Sequence, residues 1–294
     1  MSKIAFYIMN SKGYFVLKNF IDKFGSDSVS YVVGREDKNI QKDFFDEIKE
    51  LSQKEKIKFF SRFEDVVLIE KNFSGYKFAI GWRWLIKDER NLIVFHDSFL
   101  PKYRGFAPLV NCLLNNENGG VTALFASSEY DKGDILAQKS FKIDYPIKIY
   151  EAIKKIEPLY FELVVEVYSK IQNDYELKAT KQDENEATYS LWLDTEDYFI
   201  DWSWNAQKIK RFVDAIGYPY DNAKSYLKGE VVKFVDVEIF EDVVVENRER
   251  HIGKVIFIKE GIPVIVCSDG LIGLKDIRDK DNNQLFINFR SRFK

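Results

Sequence analysis

The first hundred residues alternate between short apolar runs and segments whose apolar residues recur at helical spacing. The apolar runs predict strands at residues 3–9, 29–33, 57–60, 78–80 and 92–95. The segments with helical spacing predict helices at residues 14–24 and 40–53. Strands that alternate with helices form βαβ units, which build a mainly parallel sheet with helices on both faces. We therefore expect an α/β fold whose functional groups collect beyond the carboxyl ends of the strands.

The pattern changes along the second half of the chain. Residues 121–143 predict two strands around a loop, and residues 147–173 predict a long helix. Pro158 lies inside that helix, so we expect a break or kink there. A short helix is predicted at 206–216, and after it strand signals recur at regular spacing, as in a small barrel or sandwich.

These signals divide the chain into two expected domains. The first, over residues 1–175, has the α/β pattern. Residues 176–189 are polar and lack periodicity, which predicts a linker. Residues 190–294 are expected to form a small, β-rich, barrel-like domain.

Composition excludes several classes of protein. The 294 residues carry 44 Lys and Arg against 47 Asp and Glu, a net charge of -3, which does not suit a polycation bound to nucleic acid by bulk charge. The chain has neither a run of the ~18–20 apolar residues that span a bilayer nor the N-terminal pattern of a signal peptide. Cys112 and Cys267 lie far apart in apolar contexts, so we expect reduced, buried thiols and a cytoplasmic location.

The cofactor motifs of other α/β proteins are absent from the sequence. It has no GxGxxG and no GxxxxGK[ST], which argues against a dehydrogenase or an NTPase. Only two histidines occur, and the cysteines form no CxxC pair, so a metal site is not expected.

One of the two histidines stands where catalysis is expected. His96 directly follows the predicted strand at 92–95, and Asp131 lies in a loop between two further strands. Imidazole titrates near neutral pH and a carboxylate can orient it, so the pair indicates acid–base chemistry. From these residues alone, a purely structural role for His96 stays open.

Two motif blocks around these residues resemble those of the folate-dependent formyltransferase family. HDSFLPKYRGFAP, from His96, fits H-x-S-x-L-P-x-x-R-G, and GVTALFASSEYDKGDI, from Gly120, fits G-V-T followed by D-x-G-D-[IM]. YSLWLDTEDYFIDW, from Tyr189, is similar to the start of the C-terminal domain in methionyl-tRNA formyltransferases and ArnA-type sugar formyltransferases. The resemblance covers nearly the whole chain and is weakest at residues 36–76 and 228–255.

The resemblance implies an enzyme of the formyltransferase fold that moves a formyl group from 10-formyltetrahydrofolate to a primary amine, without a metal. It implies that His96 is the general base and that Asp131 orients it. It also implies folate binding by the segment at 81–86 and by the two motif loops. The residues concerned are Gly81, Trp82, Arg83, Trp84, Leu85, Ile86, Ser98, Leu100, Arg104 and Tyr130.

The sequence departs from the family pattern at Val94. The family has Asn two residues before the His, and that amide donates a hydrogen bond to the developing oxyanion. Asn91, Ser98, a backbone N–H or a water are the candidate substitutes. Two alternatives stay open: the reaction is altered, as in hydrolysis of the folate or another one-carbon transfer, or the protein binds a ligand without catalysis.

The acceptor is expected to be a nucleotide-linked amino sugar. The segment GWRWLI at 81–86 is similar to G-Y-R-x-[IL]-[IL] of nucleotide-sugar N-formyltransferases. The chain lacks the basic, glycine-containing insert of methionyl-tRNA formyltransferases after the second strand, and its low charge disfavours tRNA, which stays the alternative partner. No membrane partner is expected, and a homodimer is one option.

Overall fold

A computed structural model describes residues 2–294, and the chain divides into two compact units. Unit 1 comprises the residues up to Cys112 together with Asn118–Ile143 and Glu151–Trp192. Unit 2 comprises Leu113–Glu117, Asp144–Tyr150 and Leu193–Lys294.

A seven-stranded sheet forms the centre of unit 1. The strands along this part of the chain are β1 (Ile4–Ile8), β2 (Val29–Gly34), β3 (Lys58–Phe60), β4 (Lys77–Ile80), β5 (Leu92–His96), β6 (Arg104–Gly105), β7 (Gly119–Phe125), β8 (Ile135–Phe141) and β9 (Tyr189–Ser190). The sheet order is β3-β2-β1-β4-β5-β7-β8, and β6 pairs separately with β9. Neighbouring strands are parallel along β3-β2-β1-β4-β5, whereas β7 pairs antiparallel with both β5 and β8. The prediction of a mainly parallel sheet is confirmed.

Five helices accompany these strands. They are α1 (Asn10–Phe24), α2 (Phe45–Lys54), α3 (Phe63–Glu70), α4 (Pro108–Leu114) and α5 (Ile149–Gln172). Strand β1 is buried along its whole length, as expected for a parallel strand covered on both faces. On one face, Phe20 of α1 packs edge-on against Phe6 of β1 and against Tyr168 of α5.

Two helix predictions need correction, and one helix was not predicted. Of the break or kink expected at Pro158, the break is absent, because α5 continues through that residue. Pro158 is exposed, so the carbonyl group that loses its N–H partner there can bind water. Helix α2 begins at Phe45 rather than at residue 40, since Phe44 adopts a left-handed φ of 61° and Asp43 accepts the Phe45 N–H. Helix α3 was missed.

Unit 2 is rich in β structure, as predicted. It contains α6 (Ala206–Ala215), β10 (Ala223–Leu227), β11 (Glu230–Phe240), β12 (Val255–Lys259), β13 (Ile262–Val266) and β14 (Leu271–Arg278). The strands form one antiparallel sheet in the order β10-β11-β14-β13-β12. The buried side of α6, with Ile209 and Phe212, packs against this sheet.

No helix within residues 2–294 combines the length and the apolar character needed to cross a membrane.

The carboxyl ends of three neighbouring strands lie together at one edge of the sheet of unit 1. Strands β1, β4 and β5 are neighbours, and their registers align Ile8 with Ile80 and Ile80 with Phe95. The residues that follow these strand ends therefore share one edge of the sheet.

Candidate active site

His96 is the last residue of β5, and both of its ring nitrogens face oxygen atoms. Nε2 lies 2.8 Å from the carbonyl oxygen of Tyr103, and Nδ1 lies 3.4 Å from Oδ1 of Asp131. Only 7% of the residue is exposed. The predicted pair of His96 and Asp131 is therefore brought together in the structure.

The Tyr103 carbonyl decides which nitrogen of the neutral ring is basic. A 2.8 Å contact with a carbonyl oxygen needs a hydrogen on Nε2, because two acceptors cannot bond to each other. The lone pair then lies on Nδ1, toward Asp131. Once Nδ1 takes a proton, Asp131 stabilises the charged ring. Tyr103 itself has a φ of 60°, a conformation uncommon outside glycine.

Asp131 is fixed on its other side by the first motif loop. Its Oδ2 accepts the backbone N–H of Gly105 at 2.8 Å, and its φ is 55°. Two residues later, a Cβ added to Gly133 would lie 1.7 Å from the carbonyl oxygen of Phe125. Glycine at 133 is thus required for the close approach that folds this loop.

The loop after His96 is shaped by buried hydrogen bonds. Ser98 donates its hydroxyl hydrogen to the Lys102 carbonyl at 2.7 Å, and the Ser98 carbonyl accepts from Thr122 at 2.7 Å. The Leu100 N–H in turn donates to the Thr122 hydroxyl at 3.1 Å. In these contacts Ser98 and Leu100, which were predicted to bind the folate, build the loop.

Arg104 is completely buried, and its guanidinium is engaged by other residues of unit 1. It forms a two-pronged ion pair with Glu184, at 2.8 and 2.9 Å, and donates to Gln182 at 3.0 Å and to Tyr189 at 3.3 Å. The hydrogen bond from Arg104 lowers the pKa of Glu184. These contacts do not support the predicted role of Arg104 in folate binding.

The segment at 81–86 follows β4 at the same edge of the sheet. Gly81 has a φ of 63°, and a Cβ there would lie 2.7 Å from Nδ2 of Asn10. Trp82 packs edge-on against Tyr7 with ring centroids 5.3 Å apart. Arg83 pairs with the buried carboxylate of Asp37 at 2.8 Å.

The end of this segment presents apolar side chains to solvent. Trp84 and Leu85 are 40% and 50% exposed, and the Arg35 guanidinium lies 4.6 Å from the centroid of the Trp84 ring. Ile86 is buried in the apolar cluster on this face of the sheet. Tyr130, also predicted to bind the folate, is 44% exposed and packs against Phe106 at 5.4 Å.

Val94 lies on the same face of β5 as His96, because side chains two residues apart in a strand point the same way. Val94 is partly buried and packs against the apolar cluster that contains Ile86, as Trp82 and Ala126 also do. An apolar side chain suits these surroundings.

Two of the predicted substitutes for the missing amide are not available. Asn91 precedes β5 at the opposite end of the strand, where it donates to the Ser74 carbonyl at 3.0 Å. The Ser98 hydroxyl is committed to Lys102. Of the candidate substitutes, a backbone N–H and a water remain.

A charged group centred on Asp97, the residue after His96, was not predicted from the sequence. The Asp97 carboxylate accepts hydrogen bonds from the Lys12 ammonium and the Tyr160 hydroxyl. Lys12 lies on α1 and Tyr160 on α5, so this group ties the residue after His96 to two helices. The position of Asp97 next to His96 was the only sequence signal, since the partners are more than sixty residues away.

Two family models match the chain. One, described as formyl transferase, matches residues 74–166, and the other, described as formyl transferase C-terminal domain, matches residues 193–289. Together the two segments cover more than half of the sequence.

Curated relatives carry the name methionyl-tRNA formyltransferase. The protein of Thermotoga neapolitana is 29% identical over 76% of this chain and 69% of its own length. The Clostridium tetani protein is 28% identical over 66% of this chain and 61% of its own. The Thermodesulfovibrio yellowstonii protein is 35% identical over 51% of this chain and 48% of its own length. The matches span about half to two thirds of these relatives.

Solved structures share the fold at low identity. WlaRD, a sugar 3N-formyl transferase solved with dTDP and 5-N-formyl-THF, has a TM-score of 0.65 at 20% identity, covering 93% of this chain and 97% of its own. An N-formyltransferase of Helicobacter canadensis, in complex with folinic acid and dTDP-3-aminofucose, has a TM-score of 0.65 at 19% identity over 93% and 99%. HypX of Aquifex aeolicus, in complex with tetrahydrofolic acid, has a TM-score of 0.67 at 17% identity. The match covers 97% of this chain and 45% of HypX.

Proposed function

Because this chain belongs to the folate-dependent formyltransferase family, we propose that it transfers the formyl group of 10-formyltetrahydrofolate to a primary amine. The acceptor in this proposal is a nucleotide-linked amino sugar. The observation that carries the proposal is the placement of His96 Nδ1 opposite Asp131 at the carboxyl edge of the sheet.

His96 is the base of the proposed reaction. The amine nitrogen bonds to the formyl carbon, the bond from that carbon to N10 of the folate breaks, and the amine gives up one proton. Nδ1 of His96 takes this proton, since Nε2 is occupied by the Tyr103 carbonyl, and passes it on to the leaving N10, which completes tetrahydrofolate. Between the two transfers Asp131 faces a positive ring, with Oδ1 3.4 Å from Nδ1.

The residues around Val94 fit a folate. The segment after Gly81 has no regular secondary structure up to Leu92, so its backbone groups can bond to a planar heterocycle. Trp84 and Leu85 add exposed apolar surface to this segment. A folate ring held there would lie on the face of the sheet that carries His96, and folate supplies the activated one-carbon group.

The loop between β2 and α2 supports a small acceptor over tRNA. Asp43 accepts the backbone N–H groups of Asp37 and Phe45, and Asp37 pairs with Arg83. Carboxylates thus hold this loop, where methionyl-tRNA formyltransferases carry a basic insert. The net charge of -3 also provides little attraction for phosphates.

The proposal is tested by incubating the purified chain with 10-formyltetrahydrofolate and a panel of UDP- and dTDP-linked amino sugars. Tetrahydrofolate release is followed by absorbance, and the formamide is identified by mass spectrometry. We expect both products in equal amounts with one class of sugar. Tetrahydrofolate release without any acceptor would indicate hydrolysis instead, and the absence of folate binding by calorimetry would contradict the proposal.

Methionyl-tRNA is the second candidate acceptor, because the curated relatives carry that name. This candidate predicts formylation of charged initiator tRNA, with binding that weakens by orders of magnitude between ~50 and 200 mM salt. The same assay with tRNA in place of the sugar separates the two acceptors.

A further inference from the structure

Residues 180–190, called the strap below, lie along both loops of the candidate site. The strap begins beside β8, where Thr180 exchanges two backbone hydrogen bonds of 2.8 Å with Ile135. It ends in β9, which pairs in parallel with β6. Its sequence is polar and without periodicity, yet its backbone is bonded at both ends to unit 1.

Thr188 of the strap is bonded to the loop that carries Tyr103. Its hydroxyl accepts the Tyr103 N–H at 2.9 Å, its carbonyl accepts the Arg104 N–H at 2.9 Å, and its own N–H donates to the Pro101 carbonyl at 3.2 Å. The Ser190 hydroxyl also donates a hydrogen bond of 3.4 Å to the Tyr103 carbonyl oxygen. Tyr103 is thereby held in its left-handed conformation, with its carbonyl toward His96.

Gln182 of the strap is bonded to the loop that carries Asp131. Its amide donates to the carbonyl of Asp131 at 2.6 Å and to that of Gly133 at 2.8 Å. Its oxygen accepts from Nε of Arg104, whose chain neighbour Gly105 donates to the Asp131 carboxylate. One side chain thus links the two motif loops.

The two loops held in this way supply both partners of the His96 ring. We propose that the strap positions these partners, with Thr188 and Gln182 as positioning residues for the formyl transfer proposed above. Thr188 acts on the Tyr103 carbonyl and so on the location of the ring hydrogen. Gln182 acts on Asp131, which faces the basic nitrogen. The effect on kcat rests on the proposed function, whereas the effect on the ring hydrogen of His96 does not.

Imidazole NMR tests the role of Thr188 without any assay of activity. The chain has two histidines, so ¹⁵N spectra contain two rings, and a His251→Gln variant identifies the signal of His96. At alkaline pH, where the ring is neutral, we expect His96 to carry its hydrogen on Nε2. Thr188→Val removes the hydroxyl at nearly constant shape and should raise the share of the Nδ1–H form several-fold. Thr188→Ser keeps the hydroxyl and should restore the native ratio.

Kinetics test both residues. Thr188→Val and Gln182→Met should lower kcat by about 10- to 100-fold, as misplacement of catalytic groups does, with KM for folate and acceptor within about 2-fold. The kcat and KM of Thr188→Ser should stay near those of the wild type. Gln172→Ala, which removes a hydrogen bond to the Ser2 carbonyl elsewhere in unit 1, is the matched control and should change neither quantity.

The outcomes separate the inference from the proposed function. An unchanged His96 tautomer ratio in Thr188→Val, or equal loss in Thr188→Ser, would overturn the role of Thr188. An unchanged kcat in Gln182→Met would overturn that of Gln182. If the wild type transfers no formyl group, the proposed function fails, whereas the tautomer ratio still decides whether the strap orients His96. Thermal unfolding of each variant verifies that it is folded at the assay temperature.

Discussion

Asp131 and Gly105 are joined by a hydrogen bond of 2.8 Å from the Gly105 N–H to Oδ2 of the carboxylate. This bond uses one oxygen of Asp131 and leaves the other, Oδ1, facing His96. The two motif blocks therefore meet through backbone and side chain at the proposed base, by two residues that lie 26 positions apart in sequence. A change at Asp131 should act directly on the His96 ring.

Replacing Asp131 by Asn should block the base. With its oxygen still bound to the Gly105 N–H, the new amide would point its N–H groups at Nδ1 of His96 and occupy the lone pair. We expect kcat to fall about 10²- to 10⁴-fold, the range for loss of acid–base catalysis. Folate affinity, measured by calorimetry, should stay within about 2-fold.

His251→Gln serves as the control for this experiment, because that histidine lies in unit 2 and contacts Lys254. It should retain full activity. An Asp131→Asn protein that keeps the wild-type kcat would show that the carboxylate is not needed.

Val94→Asn should have opposite effects on activity and stability. The new amide would lie on the His96 face of β5 and could donate to the formyl oxygen, so we expect kcat to rise. It would also place a polar group at the partly buried position of Val94, against the apolar cluster that contains Ile86, at a cost of up to about 1–3 kcal/mol in the free energy of unfolding.

Urea unfolding and steady-state kinetics measure the two effects separately. Val94→Thr tests whether a hydroxyl suffices as the donor. If kcat is the same in the Asn variant, the negative charge is stabilised elsewhere, by a backbone N–H or by water.

Trp84→Ala should weaken folate binding. The ring is 40% exposed at the end of the segment proposed to hold the folate, and an aromatic contact is worth about 0.5–1.5 kcal/mol. That range corresponds to about 2- to 10-fold in the dissociation constant, measured by titration calorimetry. Tyr175→Ala removes an aromatic that is 67% exposed far along the sequence and should leave binding unchanged.

The buried tyrosines of the sheet predict a loss of stability at alkaline pH. Burial raises the pKa of Tyr31 and of Tyr7, whose hydroxyl also donates to Glu70. Unfolded tyrosine ionises near pH ~10, so above that pH the unfolded chain releases protons that the folded chain keeps. The free energy of unfolding should therefore fall as pH rises, by up to about 1.4 kcal/mol per pH unit for each group.

Tyr31→Phe isolates one of these groups. The variant should lose stability less steeply between pH ~10 and 11 than the wild type does, as measured by urea unfolding. Tyr175→Phe, at an exposed tyrosine, is the matched control for this substitution. Equal slopes in all three proteins would contradict the prediction.

The sequence predicted the frame of the site well, because buried strands appear as apolar runs. The run at 92–95 located β5 and placed His96 at its end, as the structure does. Helix α3 was missed since Val66 to Ile69 are consecutive apolar residues without helical spacing, and Val67 and Leu68 are exposed.

The contacts that orient the ring could not be predicted in the same way. The carbonyl of Tyr103 faces His96 through a backbone turn with φ of 60°, which tyrosine does not signal. Arg104, a member of the first motif block, was expected at a ligand, yet its partners Gln182 and Glu184 come from a segment without periodicity. Such bonds depend on distant parts of the chain.

The strap also determines how much of the chain a minimal fragment must keep. A fragment that stops at residue 175 would lose Thr188 and Gln182, and with them the bonds to Tyr103 and Asp131. It would also leave the buried guanidinium of Arg104 without its counter-charge. A fragment that ends beyond Trp192 retains all of these bonds, so the shortest piece able to hold the site is longer than its sheet and helices alone.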